Sequence, residues 1–358
     1  LSMQMGVAVD RIDAPFGAEL ELQNEIAIPP PSLDHRENSS FVATAELLAE
    51  GKRVRWGSKG EIHVESTAGT AEFEKAAWEL RWPRVALYEP WTANIDTGWT
   101  QWLLDSYRIP YTVLHNGDVA AKDLRARFDA IILASQSASS ILNGERFGEA
   151  SSGREIEDRA SPEVKTAQRP EYTGGIGPRG LAALDDFARD GGTLIALDDA
   201  ADLPVQFFPL SVRNVAQGSG DTVRFECPGS LLRITVDRSN PIAFGMPEEA
   251  VAFSTGGHAY EIPLLAEFNK GEREIRSVAR YAKTNVLASG WVSGEKTVQG
   301  KHVLLDARHG RGRVVVFGFR PQFRGQPFGT FKLLLNAIYL ASARPLSGAE
   351  GPSGQSGR

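Results

Sequence analysis

Asp198 and Asp199 follow directly on TLIAL, a strand-like run over residues 193–197. They stand at a strand-to-helix corner, where an open α/β sheet commonly holds a nucleophilic Ser or Cys aimed up from the sheet edge. An aspartate can act as a nucleophile, but it needs a base and an orienting partner. The last strand-like run, RVVVFGF, ends in Phe319-Arg320-Pro321-Gln322, which puts a guanidinium where a base would be wanted. A guanidinium cannot accept a proton near neutral pH. Acyl transfer therefore lacks its parts at both ends, and Asp199 paired with Arg320 is the structural alternative. A hydrolase using Asp199 as base or nucleophile is the rival reading.

Metal chemistry has one short pattern to offer. GGHAYEIP contains an H-x-x-E pair, His258 and Glu261, with His302 and His309 as candidate third ligands among the six histidines. A zinc site needs three protein ligands and an activated water. This pair falls in ordinary loop and strand sequence, so a solvated loop histidine and no metal is the expectation. The single cysteine, Cys227, excludes an internal disulfide and reads as a small buried apolar residue.

Ligand binding without chemistry draws on the segments beyond the carboxyl ends of the strands. These supply Trp91, Asn94, Asp96, Trp99, Gln136, Asp199, Arg320 and Arg324. Trp91, Asn94, Asp96, Asp199 and Arg320 make the candidate pocket, and an aromatic beside amide, acid and guanidinium suits a sugar or a peptide end. The bland counterpart has Trp99 in the core and Asp96 capping its helix. The Asp-Thr-Gly at 96–98 matches an aspartic protease loop in three letters only, at a helix start, and is set aside.

The elements that must position these residues read as follows. From residue 84, short apolar strands (RVALYE, YTVL, DAIILA) alternate with helices over 97–107 and 120–128, which predicts a parallel sheet covered on both faces. Residues 135–176 break the pattern as a long polar stretch, a lid or an insertion. A helix opening at Pro178 and closed by Gly191-Gly192 leads into TLIAL. Residues 203–310 are β-rich and read as an antiparallel extension, and a helix over 330–341 closes the domain. Before it, residues 1–82 form a first unit. There AELELQNEIAI reads as β, a helix capped by Ser39 or Ser40 ends at Gly51, and residues 75–82 read as a short helix.

The chain has 358 residues, 42% hydrophobic content and a net charge of −6, enough for about two domains. The acidic balance argues against nucleic acid and anionic membranes as the main partner. No apolar run approaches the ~18 residues of a membrane span. The opening LSMQMGVAVDR lacks the basic start and apolar stretch of a signal peptide and reads as the middle of a longer protein.

Three long runs carry a resemblance. They are PRVALYEPWTANIDTGWTQWLLDSYRIPYTVL, GPRGLAALDDFARDGGTLIALDDAADLPVQFFPLSVRNV and GRGRVVVFGFRPQFRGQPFGTFKLLLNAIYLAS. Together they resemble the C-terminal region of bacterial zinc carboxypeptidase-like (carboxypeptidase-A type) proteins, in which a class I glutamine amidotransferase-like domain follows the peptidase domain. The resemblance covers most of residues 1–345. It implies an α/β fold, a flavodoxin-like or amidotransferase-like parallel sheet with a β-rich insertion and a small N-terminal α+β linking module. The implied organisation is a linking module over 1–82, the amidotransferase-like domain over 83–345, and a disordered tail over 346–358.

The same resemblance implies that zinc, its ligands and the peptidase chemistry belong to an upstream domain absent from this chain. The expected partner is that domain, with a small polar ligand, peptide or glycan as a second, and a secreted or periplasmic setting. Where an active amidotransferase carries Cys, this chain has the Asp198–Asp199 pair, and Arg320-Pro321-Gln322 stands where His-Pro-Glu would be. No catalytic, cofactor or metal residue is carried over. The expected function is a non-catalytic accessory region, with a stand-alone carbohydrate- or peptide-binding module as the alternative.

Overall fold

A computed structural model describes residues 2–6, 17, 33–65, 71–120, 123–144, 172–217, 225–267 and 271–346. The AELELQNEIAI strand, most of the 135–176 stretch and all but the first residue of the 346–358 tail lie outside the described residues.

In chain order the strands are β1 (Val54–Trp56), β2 (Ile62–Val64), β3 (Trp78–Glu79), β4 (Val85–Tyr88), β5 (Tyr111–Leu114), β6 (Ala130–Leu133), β7 (Thr193–Leu197) and β8 (Arg213–Asn214). They continue with β9 (Ser230–Val236), β10 (Glu249–Ser254), β11 (Tyr260–Glu261), β12 (Ile275–Tyr281), β13 (Leu287–Ser289), β14 (His302–His309), β15 (Gly312–Phe317) and β16 (Arg344–Pro345). The main sheet runs β10-β9-β12-β14-β15-β7-β6-β4-β5. Its β15-β7-β6-β4-β5 half is parallel. The β14, β12, β9 and β10 half is antiparallel. This is the α/β fold with a β-rich extension that the sequence leads one to expect.

The parallel strands carry no alternation because both faces are covered. β4, β6, β7 and β15 are buried along their whole lengths. Alternate residues serve different cores. Leu87, Ile132, Ile195, Val315 and Phe317 join the face covered by the closing helix Phe328–Ser342. Tyr88, Leu133, Ala196 and Val316 join the face covered by the helix Gly177–Arg189. Burying one such aliphatic side chain contributes roughly 1.5–3 kcal/mol, so this two-sided core is the main support of the sheet.

Register then fixes what meets beyond the strand ends. Leu133 is opposite Ala196, and Phe317 is opposite Leu197. Extending that register, Ser135 (two residues past Leu133), Asp198 and Gly318 are delivered to one neighbourhood.

Three local expectations are corrected. Residues 75–82 are not a helix: Ala71–Glu74 is helical, and Trp78–Glu79 is a strand pairing with β1 through Trp56↔Trp78. Pairing next to a buried Trp56 outweighs the helical spacing of the apolar residues. The expected helix over 120–128 is reduced to Leu124–Arg127, because Asp123 takes a left-handed φ of +70° ahead of it. Neither Ser39 nor Ser40 caps the first long helix, Ser39–Ala49. Both lie inside it, and Asn38 in front of it instead binds the Phe328 carbonyl and the Lys332 ammonium.

The first unit and the main sheet share one core. β16 adds to the small sheet β16-β3-β1-β2. Trp56 packs against Phe244 and Tyr339. His35 bridges the Gly60 carbonyl and Asn336 Oδ1 at 2.9 and 2.7 Å.

Candidate functional site at the strand ends

The corner after β7 turns on Asp198, which is fully buried and has a left-handed φ of +51°. Such a φ is uncommon outside glycine, although Asp and Asn tolerate it better than most. The turn directs the carboxylate into the protein. Its Oδ2 accepts hydrogen bonds from Ser135 Oγ at 3.2 Å and Thr255 Oγ1 at 3.3 Å. Arg320 Nε lies 2.8 Å from the same oxygen. Arg320 also faces Asp96 at 3.6 Å and Asp199 at 3.9 Å. The expected Asp199–Arg320 pair is thus present but long, the closer partner being Asp198, and the Asp199 side chain is half exposed at the mouth.

His258 closes the other side and is 1% exposed, so the expectation of a solvated loop histidine fails. Its Nδ1 lies 3.4 Å from Asp198 Oδ1, and its Nε2 lies 3.7 Å from Asp202 Oδ1 and 3.9 Å from Asp199 Oδ1. Asp202 is held in turn by Gln217 at 2.8 Å and Asn214 at 3.4 Å. Glycines bring the ring there. Gly256 and Gly257, both at φ +91°, bend the loop inward. At Gly318 a Cβ would stand 3.1 Å from His258 Cβ and 3.0 Å from the Val303 carbonyl oxygen, so a side chain there would require these neighbours to give by a few tenths of an ångström.

Four carboxylates thus share two cationic partners, and their protonation divides accordingly. Burial opposes the His258 cation, but Asp198 and Asp202 outweigh it and raise the pKa to about 10. Burial also opposes the Asp198 and Asp202 carboxylates, yet contact with His258 holds both below the usual range. Asp199 goes the other way, pushed up by burial and by the Asp198 charge. Asp96 rises too, chiefly through burial, against the pull of Arg320.

The remaining candidates scatter. Asn94, not Asp96, caps the helix Ile95–Ser106: its Oδ1 accepts from the Asp96 and Thr97 amides at 2.8 and 3.0 Å. Its Nδ2 donates to the Ser135 carbonyl at 3.0 Å, tying this helix start to the strand end at β6. Trp91 is 42% exposed, and its ring stacks on His115 and meets Tyr172 edge-on. Trp99 and Gln136 are half-buried, and Arg324 is exposed over Phe323. Gln322 is fully buried and donates to Thr100 Oγ1 at 2.9 Å.

The H-x-x-E pair does not assemble. Glu261 turns to Arg213 and Lys301. His302 bonds Ser277, and His309 bonds Asp185 at 2.6 Å. Cys227 is buried, with its thiol directed at the Ser254 carbonyl. Elsewhere a groove of about 2070 Å³, bordered by Arg233, Arg280 and Glu249, includes none of these site residues.

Sequence reading missed Ser135, Thr255, Asp202 and the buried setting of His258. Asp202 had a legible signal, lying four residues after Asp198 just past the corner. Ser135 and Thr255 had none beyond their polar type.

No protein-family model matches the chain, and no curated protein matches it. Solved structures do. A glutamine amidotransferase from Thermotoga maritima is similar at 9% identity and a TM-score of 0.42, over 73% of this chain and 99% of that one. A putative GMP synthase component from Thermoplasma acidophilum is similar at 11% identity and 0.39, over 72% and 96%. A putative ThuA-like protein from Bacteroides uniformis is similar at 12% identity and 0.40, over 80% and 97%. At such identities the likeness says nothing of activity.

Proposed function

We propose that this chain is a non-catalytic, amidotransferase-like accessory region of a zinc carboxypeptidase-like protein. It supports the peptidase domain or holds a polar ligand at the strand ends. One observation carries the non-catalytic part: the residue at the strand-to-helix corner is a buried aspartate held between Arg320 and His258. A buried carboxylate so engaged is held by its neighbours instead of being activated by a base. The accessory part is supported by the three long runs that resemble the region following the peptidase domain. A ligand arriving at the strand ends would meet the half-exposed Asp199 carboxylate.

The test has two arms. The chain incubated with glutamine should release no ammonia above background, and release abolished by Asp198→Asn would overturn the non-catalytic reading. In a parent protein carrying the peptidase domain, removing residues 1–358 should shorten the half-life of carboxypeptidase turnover at 45 °C or raise KM for a free peptide C-terminus. If both stay unchanged, the accessory reading fails.

A further inference from the structure

The contact between Asp198 and His258 has an unusual form. Asp198 Oδ1 and His258 Nδ1 are both buried, 3.4 Å apart, and neither has a hydrogen-bond partner among the described residues. Two ligand atoms held tetrahedrally at about 2.1 Å from one zinc ion stand roughly 3.4 Å from each other. A third donor is at hand: ligand atoms, one each from Asp198, Asp199 and His258, lie within 4.8 Å of one another, with Asp199 Oδ1 3.9 Å from the ring's Nε2.

The surroundings suit a cation. Arg320 approaches the other oxygen of Asp198, Oδ2, which leaves Oδ1 free to ligate. His258 Nε2 faces Asp202 Oδ1 at 3.7 Å, and Gln217 and Asn214 orient that carboxylate. That separation is longer than a hydrogen bond, but the Asp202 charge favours the ring proton on Nε2, which leaves the Nδ1 lone pair available to a metal. The mixed imidazole and carboxylate set favours zinc and its neighbours over calcium or magnesium.

We propose that Asp198, Asp199 and His258 form a divalent transition-metal site of zinc type at the strand ends, with Asp202 orienting the imidazole. It goes beyond the accessory reading and does not depend on it. This zinc would be separate from any held by a peptidase domain.

The test uses the purified chain, stripped with a chelator and titrated with zinc chloride by calorimetry, with elemental analysis after desalting. One equivalent should bind and raise the thermal midpoint. Asp199→Asn, at a half-exposed side chain that folding tolerates, should weaken binding at least 10-fold, and His258→Gln should abolish it. If His258→Gln does not fold, Asp202→Asn with an unchanged circular dichroism spectrum should weaken binding roughly 10- to 100-fold. Absence of binding, binding that ignores both Asp199→Asn and the His258 or Asp202 variant, or equally tight binding of magnesium would each overturn the proposal.

Discussion

Replacing Arg320 with Met tests whether the strand-end cluster holds the fold together. The guanidinium lies 2.8 Å from Asp198, 3.6 Å from Asp96 and 3.9 Å from Asp199. At an effective dielectric of about 20, the nearest contact is worth roughly 6 kcal/mol of gross attraction and the other two about 4–5 each. Desolvation of the buried groups cancels most of that, so the gross sum is not the expected loss. What decides the cost is the state left behind. Asp198 has no solvent exposure, so without Arg320 it keeps, among the described residues, Ser135, Thr255 and His258. Removing one partner of a buried pair costs about 3–5 kcal/mol, and these survivors put the expectation near the lower end, about 3 kcal/mol. Urea unfolding at pH 7 with a chelator present reads it as a lower midpoint at unchanged slope. Salt should not restore it, because a buried pair is screened little. Combined with Asp198→Asn, the double variant should be less destabilised than the sum of the singles by at least ~1.5 kcal/mol. A loss under about 1 kcal/mol, or simple additivity, would refute the cluster as a structural lock.

Three further outcomes follow from the same geometry. His258 has its folded pKa raised to about 10 from an unfolded value near 6.5. Its contribution is therefore complete below pH 6.5 and lost as pH rises through 10, so the urea midpoint without metal should fall over that window, by an amount on the order of a few kcal/mol. A flat profile, or the same fall in His258→Gln, would rule this out. Asn94→Ala removes the helix cap and its link to the Ser135 carbonyl, and should cost about 1–2 kcal/mol by urea unfolding, whereas a loss of a few tenths would deny the cap. Gly318→Ala should destabilise by roughly 1–3 kcal/mol, since its Cβ would crowd both His258 and the Val303 carbonyl, and wild-type stability would show that the contact relaxes freely.

The parallel half of the sheet was legible because its strands are short apolar runs that need both faces covered, and β4, β6, β7 and β15 are buried throughout. Strand ends so located also made Asp199 and Arg320 neighbours on paper. Tertiary choices remained out of reach. Whether Asp198 or Asp199 takes Arg320 depends on one left-handed backbone turn, which sequence does not specify for Asp. Asn94 and Asp96 are both good caps by type, and it is Asn94, which also reaches the Ser135 carbonyl, that takes the role. Trp78 shares helical spacing with its apolar neighbours, yet the pairing of Trp56 with Trp78 draws it into a strand. His258 was misjudged because a loop histidine reads as solvated unless its docking is known, and its docking rests on Gly256, Gly257 and Gly318 acting from two separate segments.

The left-handed corner is where backbone and charge meet. An uncommon φ at a non-glycine residue costs on the order of 1 kcal/mol and persists only where the surroundings over-determine it. In a catalytic α/β corner, such a turn lifts a nucleophile clear of the sheet. Here the same turn places a carboxylate under Thr255, beside Ser135 and between two cationic groups. Those contacts exceed the backbone cost several-fold, so the corner is held by its side chain. The lock also has a gap. Oδ2 of Asp198 is fully engaged, while Oδ1 and both ring nitrogens of His258 are left without hydrogen bonds among the described residues. An assembly built only for rigidity would be expected to satisfy those buried atoms, because each unsatisfied polar atom costs about 1–3 kcal/mol. One of these atoms, His258 Nε2, lies 3.9 Å from the half-exposed Asp199 carboxylate.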